Sequence, residues 1–273
     1  MFGRETPMRR RAGLIVLWML CAGLAAQAED AKPVDPAVLE DLVAASRILA
    51  DQGVVDAFGH VTVRHPTNPD HFLMTRSLAP ALATPADIVE LDLDGNDVNK
   101  TGKTLFLERF IHAEVYRVRP DVMAVVHSHS PAVIPFGVTK VPMRAMFHNS
   151  AFLARGVPVF DIREKFGATN MLVSNREIGR ALAETLGNKS ALLMRGHGDV
   201  IVAPTLPLAV FRAVYTEVNA RLQAQAIALG GPIEALSEEE GLKAEDVNAQ
   251  IVGRAWDLWK PRVAIGKPTD KPN

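Results

Sequence analysis

The sequence predicts an α/β protein with one main domain, and three observations predict it. Helix-spaced and strand-like segments interleave along the chain, the first strand candidates are short and separated by turn signals, and no internal repeat or low-complexity block interrupts them. The short strands make at least the first part of the sheet antiparallel. A chain of 273 residues lies within reach of a single core once a leader is set aside.

The leader comes first. Arg9, Arg10 and Arg11 precede an apolar run, residues 12–26, that is too short to span a bilayer comfortably, and Ala26-Gln27-Ala28 fits a signal-peptidase site. Residues 1–28 are therefore expected to be a signal peptide, with Glu29 the first mature residue and the periplasm or the exterior as destination. Cys21 follows Trp18-Met19-Leu20 where a lipidation signal prefers small residues, and the arginines lack a twin-arginine context. Cys21 is the only cysteine, so the exported chain forms no disulfide and depends on its core.

The whole chain has 30 Lys+Arg against 31 Asp+Glu, and the leader removes Arg4, Arg9, Arg10 and Arg11, which leaves an acidic remainder. Nucleic acid is thereby disfavoured as a partner. With no second apolar stretch of about 18 residues, no membrane association is expected after leader removal.

Residues 29–36 are polar and read as a lead-in. From Ala37 the apolar positions Val38, Leu39, Leu42, Val43, Ala45, Ile48 and Leu49 follow a helical spacing that stops at Asp51-Gln52-Gly53. Strands are predicted at 60–64, 72–75 and 88–93, the last closed by the turn Asp94-Gly95-Asn96. A helix at 108–119 leads into a buried strand at 121–129, since Val122 to Val126 run without polar interruption.

Pro131 and Pro135 frame a helix start or turn, 157–160 is a short strand, and 175–186 is a helix ended by Gly187. An apolar run at 191–194 delivers Arg195-Gly196-His197-Gly198 to a turn, 200–203 leads away, and a long helix covers 208–229. The main domain thus spans 37–232. Residues 233–273 form a helical extension in which 246–259 is amphipathic and docks through Ile251, Ala255, Leu258 and Trp259.

Eight histidines are present, and two of them end an apolar strand. At period two, His127 and His129 project from one face, which makes half of a metal site. An isolated His-x-His is commonly an ordinary polar pair at a strand end. His197 changes that weighting, because it follows a second apolar strand and sits between Gly196 and Gly198, residues that let a backbone turn sharply or approach closely. Three imidazoles with an open position suit a catalytic divalent cation. Glu108, at the start of the helix leading to the histidine strand, supplies a proton-transfer group.

Leu107-Glu108-Arg109-Phe110, Arg119-Pro120-Asp121, Ala124-Val125-Val126-His127-Ser128-His129 and Gly196-His197-Gly198 occur in this order. The set resembles the motifs of the class II aldolase and adducin head-domain family, over roughly residues 37–232. That family includes L-fuculose-phosphate aldolase, ribulose-phosphate 4-epimerases and metal-dependent decarboxylases of hydroxy-aromatic acids. The resemblance implies a three-layer α/β/α fold with a central, largely antiparallel sheet, a homotetramer, and an active site at the subunit interface. It also implies that His127, His129 and His197 bind the metal, zinc ahead of manganese, with Glu108 as acid/base.

Phosphate-using members carry Gly-Asn-x-Ser, a Thr-Gly loop and Ser-Ser before the glutamate. Here the matching stretches are Gly59-His60-Val61-Thr62, Met74-Thr75-Arg76-Ser77 and Phe106-Leu107. A phosphate dianion facing Phe106 and Leu107 would be poorly compensated. His60, Thr62, Arg76 and Ser77 are the expected substrate contacts, with His60 and Arg76 suited to a carboxylate. The expected function is an exported carbon–carbon lyase, decarboxylase-like, acting on an unphosphorylated hydroxy- or oxo-carboxylate. The alternatives are a sugar or sugar-phosphate aldolase or epimerase, and a non-catalytic adducin-like interaction module.

Overall fold

The computed structural model describes residues 1–3 and 34–264. The expected leader beyond residue 3, and the cleavage site after Ala28, lie outside the described residues. The lead-in ends one residue earlier than the spacing suggests. Pro36 opens helix α1 (Pro36–Asp51), where its missing N–H costs nothing, and the Asp35 side chain caps the helix by accepting from the Ala37 N–H at 2.9 Å.

The strands are β1 (His60–Arg64), β2 (His71–Thr75), β3 (Ile88–Asp92), β4 (Ala124–Ser128), β5 (Val159–Phe160), β6 (Ala191–Met194) and β7 (Gly198–Ala203). They form one seven-stranded sheet in the order β3-β2-β1-β4-β7-β6-β5, antiparallel throughout except for the β5–β6 pair. The helices are α2 (Arg109–Val118), α3 (Ile134–Val138), α4 (Arg163–Phe166), α5 (Arg176–Leu186), α6 (Leu206–Leu229), α7 (Glu238–Ile251) and α8 (Gly253–Trp259). Residues 121–123 are not strand; β4 begins at Ala124, after a turn in which the Val122 N–H donates to Arg119 O.

Alternation along each strand divides the core in two. Val61, Leu73, Ala124, Val126, Leu193 and Ile201 point to one face, where α1 and α6 pack through residues such as Leu42, Ile48, Val210 and Phe211. Phe72, Met74, Val125, Leu192, Val200 and Val202 point to the other face, covered by α2 and α5 through Ile111, Val115, Ile178 and Leu182. The result is the expected three-layer α/β/α arrangement. Each fully buried aliphatic side chain contributes roughly 1.5–3 kcal/mol, so both layers are needed to hold the sheet.

The C-terminal extension is part of the first core. Trp256, Trp259 and Val263 are buried in it, and Arg212 of α6 pairs with Glu245 of α7. Of the docking face expected from 246–259, Trp259 is buried and Ala255 packs against the core, while Ile251 and Leu258 are exposed and Trp256 takes their place. The two helices meet at Val252, which keeps right-handed helical dihedrals.

Candidate metal centre

The register β1–β4 places His60 opposite His127, at the end of the sheet's middle strand and on its α2 face. His129 lies just beyond β4, and its ring centroid is 5.0 Å from that of His127. His197 arrives on the tight turn between β6 and β7. Gly196 takes a φ of +64°, open to glycine without strain, and a methyl group on Gly198 would fall on the Ser128 carbonyl oxygen. These two glycines bring His197 within 4.8 Å of His129 and 5.1 Å of His127, measured between ring centroids.

Glu108 precedes the first residue of α2 and turns its carboxylate into the same place. Its Oε1 accepts from the Val173 backbone N–H at 2.9 Å, and its Oε2 stands 3.4 Å from both His127 Nε2 and His197 Nε2. One ligand atom from each of Glu108, His127, His129 and His197 lies within 4.8 Å of all the others. The distant segments expected to converge do converge.

Backbone carbonyls set the tautomers of two rings. His127 Nδ1 is 2.9 Å from Asp199 O, and His197 Nδ1 is 3.1 Å from Met171 O, so each neutral ring donates there and turns an Nε2 lone pair inward. His127 Nε2 is buried with no hydrogen-bond partner, and His129 Nε2 faces His197 Nε2 at 3.0 Å. An orphaned buried nitrogen beside two ring nitrogens that approach this closely makes a pocket of nitrogen donors that a cation would satisfy. Three imidazole nitrogens, with a carboxylate beside them and a position left open, fit zinc or a similar divalent cation.

The local electrostatics make the same demand. Burial opposes charge on Glu108, but the His127 and His197 imidazoles outweigh it and hold the carboxyl below its ordinary range, so Glu108 is an ionised base. Burial likewise opposes charging His127, yet the Glu108 carboxylate raises its affinity for a positive charge. His129 is pushed down to about 4 by burial and by the two neighbouring imidazoles, which leaves it neutral.

The expected substrate contacts divide. His60 is buried against the centre, its ring 5.1 Å from His127 and 4.6 Å from Phe106. Thr62 is corrected: it is fully enclosed beneath α2, and its hydroxyl is engaged with His112 Nδ1 and the Tyr116 hydroxyl, both at 2.8 Å. Arg76 and Ser77 follow β2 at the same end of the sheet, but neither is hydrogen-bonded to the histidine cluster among the described residues. Arg76 Nε donates to Asp87 Oδ1 at 2.6 Å, and the Ser77 N–H donates to Thr104 O. Phe106 lines the site as expected, whereas Leu107 is 60% exposed and does not.

Sequence reasoning missed His112 and Tyr116, although both follow Glu108 at helical spacing on one face of α2. It also missed Asp199, whose side chain accepts from Ser128 Oγ at 2.6 Å while its carbonyl orients His127. Burial pushes that carboxyl up to about 7.

A sequence profile of the Class II Aldolase and Adducin N-terminal domain matches residues 40–224. Decarboxylase tropJ from Talaromyces stipitatus is 36% identical over 247 residues, covering 82% of this chain and 93% of that protein. A 3,4-dihydroxyphthalate decarboxylase from Arthrobacter keyseri is 29% identical, covering 78% of this chain and 88% of that one. Among solved structures, an L-fuculose 1-phosphate aldolase from Glaciozyma antarctica superposes with a TM-score of 0.67 at 26% identity, over 83% of this chain and 88% of its own. The sheet and its flanking helices match that fold.

Proposed function

The chain belongs to the class II aldolase and adducin N-terminal domain family, and from that premise we propose that it is a metal-dependent lyase, a decarboxylase of a small unphosphorylated hydroxy- or oxo-carboxylate. The observation that carries this reading is the wall beside the cluster. Phe106 packs on His60 at 4.6 Å where phosphate recognition requires several donors. Burial, and the neighbouring His112, lower the basicity of His60 well below the usual value, so that wall offers no fixed positive charge to a dianion.

A divalent cation held by His127, His129 and His197, zinc ahead of manganese, would supply Lewis-acid stabilisation of the charge that develops as the carbon–carboxylate bond breaks. Glu108 performs the proton work. Its carboxylate takes the proton of a substrate hydroxyl; the electron pair of the broken bond remains on carbon as CO₂ departs, Glu108 gives the proton to that carbon, and the ionised hydroxyl oxygen takes up a proton from water as product leaves. Val173 keeps the carboxylate aimed during both transfers by holding Oε1. The apolar face of Phe106 favours conversion of a charged carboxylate to neutral CO₂. Arg76, with its terminal nitrogens left over from the Asp87 pair, stands at the same end of the sheet to meet a carboxylate.

The test is CO₂ release by purified, zinc-replete protein from a panel of hydroxy-aromatic, hydroxy- and oxo-acids, beside a matched panel of sugar phosphates assayed for aldehyde. Release from an acid is the expected result; turnover confined to sugar phosphates would replace it with the aldolase reading. The proposal extends to export and assembly. Residues 1–28 act as a leader, to be checked by N-terminal sequencing of protein recovered outside the cytoplasm, and the enzyme works as a homotetramer, to be checked by light scattering.

A further inference from the structure

Between β1 and α2 lies a buried file of four hydrogen-bonding side chains that the proton work above leaves unused. His60 Nδ1 is 2.7 Å from His112 Nε2, His112 Nδ1 is 2.8 Å from Thr62 Oγ1, and Thr62 Oγ1 is 2.8 Å from the Tyr116 hydroxyl. All four residues are buried. Each link carries one proton, so the direction of the whole file follows from its closed end.

Tyr116 is that end. Burial holds its phenol well above the usual range, so it keeps its proton, and Thr62 is the hydroxyl's hydrogen-bond partner among the described residues. The Val125 backbone N–H faces the same oxygen, and the Arg64 guanidinium lies over the ring at 4.7 Å; neither accepts a proton. A buried hydroxyl proton without an acceptor is costly, so Tyr116 donates to Thr62. The Thr62 hydroxyl then donates to His112 Nδ1. His112 carries its own proton on Nε2 and donates it to His60 Nδ1. The reverse order strands the phenolic proton in the core.

His60 is left with its proton on Nε2, a nitrogen without a hydrogen-bond partner among the described residues, on a ring packed between Phe106 and His127. We propose that Tyr116, Thr62 and His112 are positioning residues that hold His60 as the neutral Nε2–H tautomer, and that this N–H donates to the substrate oxygen that gains negative charge in the reaction. The role rests on the lyase reading. A single neutral donor selects a hydroxyl or oxo oxygen over a phosphate dianion, which deepens that reading by naming its specificity residue.

The test uses the full chain, zinc-loaded and labelled with ¹⁵N-histidine. Long-range ¹H–¹⁵N spectra report which ring nitrogen carries the proton, with signals assigned by H60Q and H112F. The expected pattern in the unaltered protein is a protonated Nε2 and a bare Nδ1 on both His60 and His112. In H112F the His60 signals should shift to exchange-averaged positions, and kcat/KM should fall about tenfold at unchanged zinc content. T62V, which cuts the file without replacing either histidine, should move the His112 signals. A proton on His60 Nδ1 in the unaltered protein overturns the proposal, and so does an H112F spectrum in which His60 keeps its pattern. The expected tautomers with no turnover of any acid would sink the lyase reading and leave the tautomer assignment standing.

Discussion

Zinc should raise the melting temperature of this protein, and the rise should depend on His197. The four ligand atoms lie within 4.8 Å of one another, and two imidazoles are already aimed by Asp199 O and Met171 O, so binding meets little ordering cost. A ligand that binds only the folded chain stabilises it by about 2.7 kcal/mol at a hundredfold excess over its Kd. For a domain of this size each kcal/mol moves Tm by about 2–4 °C, so the gain is about 5–11 °C. His197→Ala leaves two imidazoles and Glu108, and at the same zinc concentration the gain should drop below about 2 °C. His197 is preferred over His127 for this test because its side chain lies nearer the surface, so truncation leaves less of a cavity. The assay is thermal unfolding followed by circular dichroism, after chelation and dialysis and then across a zinc titration. An unaltered protein that melts at one temperature with and without zinc, or an H197A variant that keeps the full gain, would refute the reasoning.

Glu108→Gln should keep its Val173 hydrogen bond through the amide oxygen and retain zinc, while turnover falls by about 10² to 10⁴; zinc loss with surviving activity would reverse the assigned roles. Gly198→Ala places a methyl group on the Ser128 carbonyl and should push β4 and β7 apart, costing about 1–3 kcal/mol in urea unfolding and weakening zinc binding; unchanged values for both would remove the glycine's structural rationale. Asp87→Asn tests a charge away from the centre. The Thr84 hydroxyl, and then Arg76, hold the Asp87 carboxyl below its ordinary value, so its stabilisation is present above the unfolded carboxylate range and is lost as pH falls through the lowered folded value. The Tm gap between the unaltered and D87N proteins, worth about 1 kcal/mol, should therefore be full at pH 7 and close below about pH 4; a gap that widens in acid would contradict the sign.

The parts legible in the sequence are those in which one element carries its own signal. The β1 span emerged from a strand-like segment bounded by turn residues, the β6 span from an apolar run, and the His127/His129 pair from the two-residue period of β4. His197 was marked by its flanking glycines, whose two different tasks, a left-handed turn and a close approach, become distinct only in coordinates. What escaped depends on contact between elements. Thr62 reads as a substrate contact until α2 is seen to cover it, and His112 and Tyr116 gain meaning only when their face of α2 meets β1. The groups that aim the ligands are backbone atoms of Met171, Val173 and Asp199, and a backbone carbonyl or amide leaves no mark on residue identity. Of the C-terminal docking face, Ala255 and Trp259 were legible from their spacing, whereas Trp256 was missed and Ile251 and Leu258 are exposed.

β4 is the fourth of seven strands, with three on each side, so two strands separate it from β3 and two from β5. At about 4.8 Å per strand, the β3 margin lies on the order of 14 Å from the strand of His127, whereas β5 pairs with β6, whose end turns into His197. Cargo grafted at the β3 margin, whether a fluorophore, an affinity tag or a linker to a surface, has no histidine strand beside it to tug on. For anyone immobilising or labelling this protein, that margin is the place to begin.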